Sequence, residues 1–127
     1  MKILPLVAIF GALLGLSSVV MGAVGDHFLA GKLSPETAGT FDIALRYHQL
    51  YAVLIFVMAI YGSKETPAKT YSMACILFLI GIVIFSGSLY ASLWIDLGPL
   101  GLGTPVGGMM LMAGWILAGF SFLKKSD

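Results

Sequence analysis

Four stretches with almost no charge, each about long enough to cross a bilayer, occupy most of this chain. Residues 3–25 carry no charged side chain, residues 43–62 carry one, Arg46, and residues 71–95 and 104–123 carry none. A membrane's hydrocarbon core is about 30 Å thick, and a helix crosses it in roughly 20 apolar residues. Backbone polar groups in lipid must be satisfied within their own segment, so such runs fold as helices. The pattern predicts an all-α fold, a transmembrane four-helix bundle, with residues 1–127 forming a single domain.

Composition narrows the choice further. Of 127 residues, 59% are hydrophobic and only 10% charged, whereas soluble domains carry roughly 25% charged residues. A short chain keeps much of itself at its surface, so a soluble globular enzyme is excluded. Disorder is excluded too, because it requires low hydrophobicity and high charge. A net charge of +1 argues against nucleic acid as a partner. The single cysteine, Cys75, leaves no intramolecular disulfide and no cysteine-built metal site.

Residues 3–25 have features of a secretory signal, with Lys2 ahead of them and Ala23-Val24-Gly25 as a passable cleavage site. The apolar stretch exceeds a usual signal core, so it is read as a span. Lysine and arginine in short loops set orientation. Lys2, Lys64, Lys69, Lys124 and Lys125 fall on one side, and Lys32 and Arg46 on the other. Both termini are therefore expected to face the cytoplasm, in a multi-pass protein of the bacterial inner or plasma membrane. Ser34-Pro35-Glu36 reads as a cap, a first-turn proline and an acidic first turn, so the second helix should begin near Ser34. Thr104-Pro105 repeats the motif for the fourth helix.

Close approach of helices in lipid relies on small residues. Gly11, Gly15, Ser18, Gly22 and Gly25 are spaced four, three, four and three apart, and so fall in one stripe of the first helix. Gly107 and Gly114, with Ala118 and Ser121, do the same on the fourth. These residues are expected to pack helices together.

The ionisable residues gather at the predicted outer end. Asp26, His27, Asp42, Arg46, His48, Tyr90 and Asp96 make up that polar cluster. A charge such as Arg46, slightly inside the boundary, either snorkels or pairs. Asp42, four residues earlier, is its expected partner, with Asp26 or Asp96 sharing the pair. His27 and His48 suggest a helix-end hydrogen bond or a pH-responsive interfacial group. They match no metal-ligand spacing, and neither metal nor cofactor is expected. Met109, Met110 and Met112 do not share one face, which argues against a copper site. Ser86, Ser88 and Ser92 lack an obvious base, and the Gly98–Gly101–Gly103 turn has no preceding strand to make a phosphate loop. No catalytic residues are assigned.

Several motifs together are specific. They are Gly22-Ala23-Val24-Gly25-Asp26-His27, Ala44-Leu45-Arg46-Tyr47-His48-Gln49, Phe85-Ser86-Gly87-Ser88-Leu89-Tyr90, Leu97-Gly98-Pro99, Thr104-Pro105-Val106-Gly107-Gly108 and Gly114-Trp115. Over essentially its whole length the chain resembles the Domain of Unknown Function 423 family of small multi-pass membrane proteins. The resemblance implies four spans, no established activity and no catalytic residues to transfer. Relatives usually have Gly-Ala-His where this chain has Gly25-Asp26-His27. Many have histidine at the position of Tyr51 and glutamine at that of His48.

The expected function is that of a non-enzymatic integral membrane protein, a compact helix bundle binding membrane lipid or a membrane partner, the latter including a second copy of itself. The runner-up is a small transporter or channel component with a polar site around Arg46. An outer-leaflet enzyme using His27 or His48 as base is the least supported reading.

Overall fold

The computed structural model describes residues 3–123. Four long helices account for nearly all of them: α1 (Ile3–Val24), α2 (Pro35–Lys64), α3 (Lys69–Ser92) and α4 (Gly103–Leu123). All four are long and apolar enough to cross a membrane, and no strand occurs among the described residues. At 1.5 Å per residue, the 30 residues of α2 span about 45 Å. That exceeds the hydrocarbon thickness, so the polar first turns of α2 stand beyond it.

The helix ends follow local chemistry. Ser34 caps α2, its Oγ accepting the Thr37 N–H at 3.2 Å, with Pro35 in the first turn. After Val24 the chain keeps winding through a π-helical turn, Gly25–Leu29, so helical winding runs past residue 25, the expected end of the first span. A left-handed Gly31, φ 74°, follows it. The third helix ends at Ser92, three residues before the expected 95. Gly98, at φ 52°, then opens a 3-10 turn, Gly98–Leu102, that leads into α4. The Asp96 carboxylate accepts the Gly98 N–H at 3.0 Å, which fixes this turn.

In space α1 packs on α2, α2 on α3, and α3 on α4. The centre holds Ile55, Cys75, Phe78 and Ile82, all fully buried. Large side chains such as Leu13, Leu16, Val20, Met109, Met112 and Ile116 point outward, as expected where the surroundings are lipid rather than water.

Four of the expected packing glycines sit at points of close approach, among them Gly25, where an added Cβ would run into the Phe41 ring of α2. A Cβ on Gly107 would lie 2.6 Å from the Phe85 backbone nitrogen and 2.8 Å from the Gly81 carbonyl oxygen, binding α4 to α3. One on Gly11 would lie 2.9 Å from the Phe56 nitrogen, and one on Gly114 would lie 2.7 Å from the Phe78 ring. Ser18 is buried in the same face of α1 and turns its hydroxyl back to the Gly15 carbonyl at 2.7 Å. Gly22 is looser, its added Cβ 3.9 Å from the Gln49 amide. Gly15 departs from the expectation, since nothing lies within 4 Å of a Cβ placed there. Four residues of an α-helix turn through one revolution plus about 40°, so Gly15 rotates off the contact line that Gly11 and Ser18 define.

Candidate functional site

The buried stripe of α2 comprises Phe41, Ala44, His48, Tyr51, Ala52, Ile55, Ala59 and Gly62. These residues recur at three- and four-residue steps, the period of one helical face. Placed in that stripe, His48 cannot reach the rim. It is only 6% exposed and sits where α1, α2 and α3 meet.

Its two ring nitrogens are both engaged. Nε2 lies 3.0 Å from Ser17 Oγ on α1, and Nδ1 lies 3.0 Å from the Tyr90 hydroxyl oxygen on α3. The Ser17 hydroxyl donates to the Leu14 carbonyl at 3.0 Å. Proton positions assigned from this network are self-consistent: Ser17 accepts from Nε2–H, and Nδ1 accepts from the Tyr90 hydroxyl. A neutral imidazole thus satisfies every member, as a buried polar network requires.

Serine, histidine and a third group in line resemble a nucleophile, its base and an orienting residue. In the assigned arrangement His48 donates to Ser17 rather than taking its proton. The groove beside Ser17 is walled by Phe10, Leu13, Leu16, Val20, Leu79 and Val83, hydrocarbon that offers no donor to a developing oxyanion. The trio joins three helices through its hydrogen bonds.

Further polar contacts tie the remaining helices. The Trp115 indole N–H of α4 donates to the Tyr51 hydroxyl of α2 at 2.8 Å, and the Trp115 ring stands edge-on to Phe78 at 5.3 Å. The Ser86 hydroxyl donates to the Ala44 carbonyl at 2.8 Å, and the Tyr71 hydroxyl to the Met58 carbonyl at 2.9 Å, both from α3 to α2. Ser88 of α3 and Thr104 of α4 share a hydrogen bond.

The expected outer-end cluster therefore divides. Asp26, Asp42, Arg46 and Asp96 are exposed, as is His27 on the π-helical turn. Asp26 and Asp42 line one small cleft of about 160 Å³ between that turn and the start of α2. Asp42 and Arg46 share a helix face, but no hydrogen bond or ion pair joins them among the described residues. Both stand at the exposed edge, where solvation competes with pairing. His48 and Tyr90 leave the rim for the interior, while His27 stays at the end of α1 on the exposed face of the π-helical turn. Among the described residues no three His, Cys, Asp or Glu side chains converge.

Sequence reasoning missed Ser17, Tyr51 and Tyr71 as members of polar contacts. The period of α2 was the available clue, since it puts His48 and Tyr51 in line with Ala44, Ala52, Ile55 and Ala59.

Four long apolar helices, joined by hydrogen bonds between interior side chains, define a small polytopic helical membrane protein. Comparison with known families makes this more specific. A model described as "Protein of unknown function (DUF423)" matches residues 21–108, and the chain belongs to that family. It is 33% identical over 121 residues to a UPF0382 membrane protein of Staphylococcus haemolyticus, covering 95% of this chain and 98% of the relative. It is 35% identical over 109 residues to the UPF0382 membrane protein YwdK of Bacillus subtilis, covering 86% and 89%. The UPF0382 inner membrane protein YgdD of Escherichia coli is 33% identical over 109 residues, covering 86% and 82%. No solved structure matches the chain.

Proposed function

We propose that the protein is a non-enzymatic, membrane-embedded binding bundle that holds membrane lipid against its helix faces, with both termini in the cytoplasm. One observation carries this reading. The polar groups of Ser17, His48, Tyr90, Tyr51 and Trp115 are engaged in helix-to-helix hydrogen bonds, while the outward faces of α1 and α4 present large apolar side chains. A bundle built this way uses these polar groups to hold itself together and offers its flanks for binding. The name of the Escherichia coli relative, an inner membrane protein, accords with the expected location.

Lipid retention tests the reading directly. The purified full chain should carry bilayer phospholipid through detergent exchange, seen by mass spectrometry of the intact complex. A chain that emerges free of lipid defeats it. A complex at twice the protomer mass, or one containing another protein, would instead identify a membrane-protein partner.

Orientation is tested in a Cys75→Ala background. A cysteine at Ser63 should resist an impermeant maleimide applied to intact cells, and a cysteine at Leu97 should react. The reverse pattern would invert the topology.

A further inference from the structure

We propose that a cavity beside the α2–α3 turn binds the ammonium headgroup of a zwitterionic phospholipid. The proposal rests on the lipid-binding reading above and names the lipid class. The cavity holds about 240 Å³ and is lined by Tyr61, Glu65, Tyr71, Ser121 and Phe122, with Thr66 and Pro67 at the turn.

Three aromatic rings contribute to its wall. Tyr71 lies between the other two, its ring centre 6.5 Å from that of Tyr61 and 6.4 Å from that of Phe122, the latter edge-on at 78°. The hydrogen bond from the Tyr71 hydroxyl to the Met58 carbonyl holds the central ring in place. Aromatic faces attract ammonium groups through their quadrupole, and cages of such rings recognise choline-type cations. Glu65 adds a full negative charge at the cavity. It stands at the C-terminal end of α2, where the unsatisfied helix carbonyls also favour a cation.

The depth and the flanking charges fit a lipid rather than a free amine. The cavity lies where two spans end and the chain turns, the level at which tyrosines anchor in headgroups. Lys64 and Lys69 bracket the turn and are exposed. An ethanolamine or choline phospholipid carries a phosphate for these lysines and an ammonium for the rings and Glu65. An anionic glycerol phospholipid carries only the phosphate.

The experiment is intact-complex mass spectrometry of the full chain in detergent. Phosphatidylethanolamine, phosphatidylcholine and phosphatidylglycerol with identical acyl chains are offered in equal amounts. Both ammonium lipids should be retained about tenfold better than phosphatidylglycerol, the scale of cation–π contacts combined with one partly screened charge. Glu65→Gln should reduce the preference, and the Tyr61→Leu/Phe122→Leu pair should abolish it. Tyr61→Phe should preserve it, with helical circular dichroism confirming that each variant folds. Equal retention of the three lipids, or a preference unchanged in the Leu pair, overturns the proposal and leaves general lipid binding intact. Displacement by soluble phosphoethanolamine at the lipid's own concentration would assign the cavity to a free ligand and overturn the lipid source. Retention of no lipid at all would defeat the broader reading as well.

Discussion

His48 Nε2 on α2 lies 3.0 Å from Ser17 Oγ on α1. The other nitrogen of the same ring meets Tyr90 of α3, so one imidazole joins three of the four helices. In hydrocarbon there is no water to take over a broken bond, but the separated helices can also find substitute partners. Interhelical hydrogen bonds are therefore worth less than their isolation suggests.

Ser17→Ala and Tyr90→Phe should each destabilise the bundle by about 0.5–2 kcal/mol, because each leaves one His48 nitrogen unpaired. The double variant should lose less than the sum of the two, since both changes act through the same ring. Unfolding in mixed detergent micelles measures all three. Strictly additive losses would show that the histidine does not couple them.

Gly107→Leu should separate α3 from α4 and cost more than about 2 kcal/mol, because the obstacle facing the new side chain is backbone rather than a movable side chain. Gly15→Leu, which meets open space, should change stability by less than about 0.5 kcal/mol. Comparable losses at the two positions would contradict the assigned helix contact.

Tyr51→Phe removes the acceptor of the Trp115 indole proton. In a Trp94→Phe background, where Trp115 is the sole tryptophan, its emission should move to shorter wavelength as the hydrogen bond is lost. An unshifted spectrum would mean that the indole points elsewhere.

Arg46→Gln should leave unfolding stability within about 0.5 kcal/mol of the parent, since an exposed charge without an ion-pair partner among the described residues contributes little to holding helices together. A loss above about 2 kcal/mol would show that Arg46 is paired in the membrane.

The helices and their approximate ends were legible because local quantities decide them. The length of each uncharged run, the Ser34-Pro35 cap and the scarcity of charge all act within a few residues. The same reasoning identified Gly11, Gly107 and Gly114 as packing positions, since small residues at helical period leave room for a neighbouring backbone. It failed at Gly15, where a rotation of about 40° from Gly11 decides between contact and open space.

Sequence alone determined that this chain crosses a membrane as helices, because the cost of unsatisfied backbone groups in hydrocarbon permits little else. It could not determine which polar residues meet. His48 and Arg46 are two residues apart, both plausible members of one rim cluster, yet roughly 200° of helical rotation separates them. Only the way α1 and α3 settle against α2 turned His48 inward to Ser17 and Tyr90 and left Arg46 outside. Partners more than thirty residues apart in the chain are chosen by packing, and no local pattern encodes that choice.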